Sequence, residues 1–166
     1  MQKDSSKSKK ALNGQPKYKI GYVADQVGLT VGTIRLYEAR GLILVQRAPS
    51  GHRIFDDSDI ERLKAIQRLI KEFGLNIEGI CRLIALLPCW EVHHCLDEVV
   101  QECKAIRSSN EPCWIAHDSM CQPQDIQKCR SCEMYLSTLH VHEMKKILYP
   151  QLLQIEQSRA DADNDK

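Results

Sequence analysis

Two short stretches near the start of the chain place apolar residues at the three- and four-residue steps typical of one helix face. The first spans residues 20–27 and is followed by Gly28, a residue that commonly ends helices. Thr30 is a suitable N-cap for the second, which stops at Gly41. Two short helices joined by a tight, glycine-containing turn predict a helix-turn-helix. The apolar positions of the first helix are Ile20, Val23, Ala24 and Val27.

A β-hairpin is predicted directly after the second helix. Residues 42–45 are apolar, residues 49–51 read Pro-Ser-Gly, and residues 52–55 return as a second strand. Arg47 and Arg53 lie on the two arms of this hairpin. The pattern therefore predicts a wing beside the helix-turn-helix.

Two further helices follow the predicted wing. Ser58 and Glu61 suggest a capping box for a helix that Gly74 closes. Asn76 is a suitable cap for a fourth helix, and Pro88 breaks the chain after it. The predicted core stripe of the third helix consists of Ile60, Leu63, Ile66 and Ile70.

A long amphipathic pattern occupies the C-terminal part of the chain and predicts a helix over residues 133–156. We interpret it as a dimerisation helix, kinked or ended at Pro150; the alternative is a helix packed within its own subunit. The polar ends, residues 1–17 and 157–166, are predicted to be disordered. The apolar positions are Leu136, Leu139, Met144, Ile147, Leu148, Leu152 and Ile155.

The composition is that of a globular protein without a membrane segment. The chain has 166 residues, of which 43% are hydrophobic, enough for a packed core. No apolar run approaches the roughly 20 residues that a membrane helix needs, and the polar N-terminus does not resemble a signal peptide. We therefore expect a cytoplasmic protein.

Charge is distributed unevenly along the chain. Residues 1–71 hold 14 Lys/Arg and 7 Asp/Glu, whereas residues 72–166 hold 9 and 15, so the net charges are +7 and −6. A basic first half favours a polyanionic partner such as nucleic acid. Thr33 and Arg35 lie near the N-terminal end of the second predicted helix, where such helices contact base edges or phosphates.

Two motifs within this basic half carry a family resemblance. Residues 35–38 read Arg-Leu-Tyr-Glu, close to an R-Y-Y-E signature, and residues 50–53 read Ser-Gly-His-Arg, close to an S-G-Y-R wing. Leu36 and His52 replace aromatic residues of those motifs. Residues 18–87 resemble the DNA-binding domain of the MerR family.

The resemblance implies a homodimer that binds a pseudo-palindromic site in double-stranded promoter DNA. Members of the family bend and untwist a promoter with an overlong spacer so that RNA polymerase can engage it, a form of indirect readout. By this resemblance Thr33 and Arg35 would face the groove, Tyr37 would touch the backbone, and Arg53 would reach a phosphate from the wing. The candidate DNA contacts are Thr30, Thr33, Arg35, Tyr37, Arg47 and Arg53.

Cysteines are concentrated in the second half of the chain. Of eight, Cys81 stands apart within an apolar helix and is predicted to be a core residue rather than a ligand. In a reducing cytosol the other seven are expected to be metal or redox ligands rather than disulfides. They are Cys89, Cys95, Cys103, Cys113, Cys121, Cys129 and Cys132.

Three kinds of metal centre are compatible with seven thiols. A structural zinc site prefers two short cysteine pairs, and only Cys129 with Cys132 has that spacing. A soft-metal sensor needs two or three thiolates, and an iron–sulfur cluster takes four that can come from spread positions. The iron–sulfur cluster is the favoured prediction, with Cys113 and Cys121 completing the preferred ligand set, and zinc is the alternative.

Each tryptophan of the chain, Trp90 and Trp114, directly follows a cysteine. An indole beside a cluster would exclude water; equally, both could be core anchors of a small domain. Residues 89–135 are similar to a cysteine-rich module with paired Cys-Trp motifs attached to bacterial signalling proteins, which implies a redox or metal centre. His93 and His94 are weaker ligand candidates.

Together these features predict a mainly α-helical chain with three parts. A winged helix-turn-helix domain covers residues 18–87, a cysteine-rich sensor module residues 88–132, and a dimerisation helix residues 133–156. The favoured function is a dimeric transcriptional regulator that senses a redox or metal signal. The alternatives are a DNA-binding regulator with a structural zinc or soft-metal-binding module, and a thiol or metal redox enzyme, which a single C-x2-C pair disfavours.

Overall fold

The computed structural model describes residues 17–92, 96–107, 110–116 and 125–138, and this part of the chain is mainly α-helical, as predicted. It consists of two compact units that divide after Ile77. A search of the described part finds no helix with the length and apolarity needed to cross a membrane.

The first two helices form the predicted helix-turn-helix. Helix α1 spans Ile20–Val27 and α2 spans Val31–Ala39, and the two pack against each other. Gly28 has a φ of 66°, a left-handed conformation that favours glycine, and its N–H bonds back to the carbonyl of Ala24. The tight turn and the entry to α2 therefore follow from local sequence.

The wing is a two-stranded antiparallel hairpin. Strand β1 is Gln46–Arg47 and β2 is Arg53–Ile54, with Arg47 directly opposite Arg53. The strands are shorter than predicted, because residues 42–45 are buried in the core but lie outside the ladder. An isolated bridge between Tyr18 and Phe55 joins the start of the domain to the base of the wing.

Helix α3 spans Asp57–Lys71, and its capping box differs from the predicted pair of Ser58 and Glu61. The N-cap is Asp56, which accepts from the backbone N–H of Asp59, while the Asp59 side chain accepts from the backbone N–H of Asp56. The prediction was wrong because residues 56–59 read Asp-Asp-Ser-Asp, in which several side chains can cap. Asp56 is the N-cap because its backbone is extended, as the backbone of an N-cap residue usually is.

The buried stripe of α3 continues from Ile66 to Leu69 rather than to Ile70, which is half-buried. Helix α3 packs on α1, and Gln67 Nε2 donates to the carbonyl oxygen of Val27 at 3.0 Å. This contact fixes the end of α1 against the middle of α3.

The second unit contains short helices. Helix α4 spans Ile77–Ala85 and begins directly after Asn76, and α5 spans Cys89–Val92 and begins after Pro88. Helix α5 packs against α9, α6 against α7, and α8 against α9. The bounds of the others are Asp97–Glu102 for α6, Lys104–Arg107 for α7, Ile126–Ser131 for α8 and Glu133–Ser137 for α9.

Several predictions concern residues outside the described part. Of the dimerisation helix predicted over residues 133–156, only α9 and Thr138 are described. The tail predictions for residues 1–16 and 157–166 also lie outside it, as do Cys121 and residues 93–95. The dimerisation helix and the two tails therefore stay predictions.

Candidate nucleic-acid interface and cysteine module

Thr30 uses its side chain to begin α2. Its Oγ1 accepts from the backbone N–H of Thr33 at 3.0 Å and lies 2.9 Å from the Thr33 hydroxyl. An N-cap of this kind satisfies one of the free N–H groups at a helix start. Thr30, a candidate DNA contact, thus also sets the orientation of Thr33 on the first turn.

The signature residues 35–38 divide between surface and core. Arg35 is exposed, Leu36 is 45% exposed, and Tyr37 is only 4% exposed. Burial also raises the pKa of Tyr37 above its ordinary value, because it disfavours the charged form of the hydroxyl. Tyr37 therefore packs in the domain core, and its contact with a DNA backbone stays a prediction.

Both wing arginines bond to one carboxylate of α2. Arg47 Nη2 lies 3.3 Å from Glu38 Oε1, and Arg53 donates from Nε to Glu38 Oε2 in a short hydrogen bond. The Glu38 side chain is 18% exposed. The candidate DNA contacts Arg47 and Arg53 are thus brought together at the second helix.

Glu38 belongs to the motif of residues 35–38, but the sequence alone indicates no role for it. Its partners lie nine and fifteen residues further along the chain, across the wing turn. A carboxylate on the second helix, followed by a hairpin with one arginine on each arm, was the available signal.

Cys89 and Cys113 are brought together in the second unit. A hydrogen bond from the Cys113 side chain is the main cause that lowers the pKa of Cys89, to about 7. Partial burial opposes this shift, while backbone hydrogen bonds at Cys89 and Trp90 support it. Cys89 is therefore substantially a thiolate at neutral pH, the form that binds metals and attacks electrophiles.

Cys129 and Cys132 form a second thiol pair, in which the pKa of Cys129 is shifted in the opposite direction to that of Cys89. Burial, followed by the charges of Cys132 and Asp125, raises the pKa of Cys129. Cys132 lies in extended conformation between α8 and α9. The Cys129 thiol is therefore protonated at neutral pH to a greater degree than that of Cys89 unless a cation binds it.

A small apolar core supports both pairs. Leu87 and Met134 are buried at its centre, and Cys89 and Cys132 pack against them. The ring of Trp114, next to Cys113 in sequence, meets Tyr135 edge to face with centroids 5.1 Å apart. Met134 and Tyr135 are neighbours on α9. This one short helix therefore contributes a packing residue near each of the two thiol pairs.

The remaining described cysteines are core residues by burial. Cys103 is 4% exposed and Cys81 is 6% exposed, the latter as expected for a core residue. Among the described residues, no three His, Cys, Asp or Glu side chains come together as a metal site. Cys95 and Cys121, both predicted ligands, lie outside that part of the chain.

The order of two short helices, a hairpin wing and two further helices defines a winged helix-turn-helix domain. Residues 18–87 match the family model of MerR HTH family regulatory proteins. Residues 18–87 thus form a helix-turn-helix domain similar to that of MerR-type regulators, as the motifs predicted.

Regulators of transcription share this domain. The chain is 34% identical over 88 residues to the HTH-type transcriptional regulator ZntR of Escherichia coli K12. This match covers 51% of the chain and 62% of that protein. Identity is 35% over 72 residues with the mercuric resistance operon regulatory protein of Bacillus cereus, and 41% over 68 residues with AdhR of Bacillus subtilis. These matches cover 43% and 40% of the chain, and 54% and 48% of the two relatives. All three relatives are regulatory proteins.

The lowered pKa of Cys89 predicts selective alkylation. In reduced, metal-free protein, iodoacetamide should modify Cys89 faster than Cys129 at pH 7, because only the thiolate reacts. Replacement of Cys113 by alanine removes the hydrogen bond, raises the pKa of Cys89 and should slow its modification much more at pH 7 than at pH 9. Mass spectrometry of the labelled peptides measures both rates. Equal rates at Cys89 in the two proteins at pH 7 would contradict the assignment.

Proposed function

We propose that the protein is a dimeric MerR-type transcriptional regulator of double-stranded promoter DNA. The observation that carries this proposal is the joint placement of helix and wing. Arg35 is exposed on α2, and the carboxylate of Glu38 holds the wing arginines against the same helix. Helix and wing thereby present basic groups together, as binding of a phosphate backbone requires.

The domain acts on DNA through shape as well as through contacts. Two such domains in a dimer bind half-sites with two-fold symmetry, and contacts to phosphates compensate the cost of bending and untwisting the duplex between them. RNA polymerase is the partner that uses the distorted promoter. We assign dimerisation to residues 133–156, whose apolar stripe has no obvious use on the surface of a monomer.

Selection from a pool of randomised duplexes tests DNA binding without knowledge of the promoter. Purified protein should enrich a pseudo-palindromic sequence, and the enriched duplex should be bent in a permuted-fragment gel assay. Enrichment of single half-sites without symmetry would refute the dimer, and failure to enrich any sequence would refute the regulator.

The cysteine-rich module is the sensor in this proposal. It would respond to a redox or metal signal in a reducing, cytoplasmic environment, with an iron–sulfur cluster as the favoured group and zinc as the alternative. Thiols are suitable ligands for either, and Cys89 with Cys113 and Cys129 with Cys132 supply two pairs. A bound cation would favour the deprotonated form of Cys129 and so offset the raised pKa of that thiol.

Metal analysis of anaerobically purified protein separates the two cofactors. An iron–sulfur protein should contain iron and sulfide, show visible charge-transfer absorption, and bleach on oxidation together with a change in transcription from the selected site. Colourless anaerobic protein with stoichiometric zinc and no iron would defeat the cluster and leave the structural-zinc alternative. The variant Cys81→Ala is the matched control and should retain the full metal content, because Cys81 is a buried core residue.

A further inference from the structure

The wing places two like charges directly opposite each other. Arg47 and Arg53 are paired residues of a ladder that has only two residues in each strand. Like charges at opposed positions destabilise a strand pair, and a hairpin this short has little else to hold it. Some other group must therefore compensate this repulsion.

Glu38 is that group. Its two carboxylate oxygens are divided between the two guanidinium groups, Oε1 toward Arg47 and Oε2 toward Arg53. The carboxylate belongs to α2, so it neutralises the repulsion within the wing and attaches the wing to the recognition helix. A charged hydrogen bond in a partly buried position is stronger than one on the open surface.

The two arginines differ in how firmly they are held. The Arg53 side chain is 29% exposed and bonds to Glu38 at short range through Nε. The Arg47 side chain is 50% exposed, lies 3.3 Å from the carboxylate, and makes only a long 3.4 Å hydrogen bond to the carbonyl oxygen of Gly51. Arg47 can exchange its partner for a phosphate at low cost, whereas Arg53 cannot.

We infer that Glu38 is a positioning residue that fixes the wing on α2, with Arg53 as its anchor and Arg47 as the phosphate contact. The inference rests on the proposed DNA binding and refines it, since sequence resemblance had given the phosphate contact to Arg53. The wing then moves with the recognition helix as one rigid element when the duplex is bent.

Salt dependence distinguishes an anchor from a phosphate contact. Each lost phosphate contact lowers the slope of log affinity against log salt by about 0.9. Arg47→Ala should lower the slope by about that amount for each wing. Arg53→Ala should weaken binding roughly tenfold at fixed salt with an unchanged slope. Glu38→Gln should weaken binding to a similar degree. The double variant of Glu38→Gln and Arg53→Ala should bind DNA as tightly as the weaker-binding single variant, because both substitutions remove the same interaction.

Amide hydrogen exchange of the free protein tests the anchor without DNA. The N–H of Ala48 bonds to the carbonyl of His52 at 2.8 Å across the wing, and it should exchange faster in Glu38→Gln than in the wild type. Arg82→Ala, which breaks an exposed pair with Glu78 on α4, is the control and should leave wing exchange unchanged.

Three outcomes would overturn the inference. The first is an unchanged rate of amide hydrogen exchange in the wing of Glu38→Gln. The second is tighter DNA binding by Glu38→Gln, which would mean that Glu38 only repels DNA. The third is a lower slope of log affinity against log salt in Arg53→Ala. A wild-type protein that binds no duplex would instead overturn the proposed function, while hydrogen exchange would still decide whether Glu38 anchors the wing.

Discussion

Replacement of Phe55 by alanine is expected to lower the free energy of unfolding of the N-terminal unit by about 3–5 kcal/mol. Phe55 is 1% exposed, and its backbone exchanges two hydrogen bonds with Tyr18, of 2.7 and 3.0 Å. It also directly precedes the buried cap Asp56, so its side chain stabilises the point where the wing, α3 and the domain entry meet. Total stabilities of about 5–15 kcal/mol make this loss large.

The chain supplies its own control for this substitution. Phe73 is the only other phenylalanine and is 56% exposed, so Phe73→Ala should change the stability little. Both tryptophans lie beyond Ile77, in the second unit. Urea unfolding of Phe55→Ala should therefore shift the transition seen by circular dichroism more than the transition seen by tryptophan fluorescence. A shift of Phe55→Ala no larger than that of Phe73→Ala would contradict the predicted role.

Replacement of Arg35 by alanine is expected to weaken binding to the selected duplex by about 1–3 kcal/mol and leave the fold intact. Arg35 is exposed on the second turn of α2, while its neighbours Ile34 and Tyr37 face the core. Removal of the exposed Arg35 side chain should therefore remove contacts with DNA and leave the packing of the domain core almost unchanged. If Arg35 reads a base, the loss should depend on sequence; if it contacts phosphate, the loss should be uniform across sequences.

Affinity measured at one fixed salt concentration on matched and mismatched duplexes decides between these cases. Arg82→Ala removes the same charge from an exposed position on α4 and should bind the duplex as the wild type does. Circular dichroism of Arg35→Ala verifies that α2 has folded. An affinity for the selected duplex equal to that of the wild type would remove Arg35 from the interface.

Local sequence determined most of the first unit. Helical periodicity, the left-handed position of Gly28 and the side-chain cap of Thr30 act within a few residues, so the helix-turn-helix could be read directly. The wing turn was predicted for the same reason: Gly51 has a φ of 79°. The cysteine spacing of the second half likewise indicated thiol chemistry before any geometry was known.

The tertiary structure determined which of several equally suitable residues makes a given contact. Four consecutive residues could cap α3, and the chain path from Phe55 selected Asp56. Seven thiols allowed many pairs, and folding placed Cys113 beside Cys89, 24 residues earlier in the chain, rather than only beside its near neighbours. Glu38 meets its arginines only because the hairpin folds back on α2. Sequence patterns report interactions within about one helical turn, and these contacts span longer distances along the chain, so only the folded chain determines them.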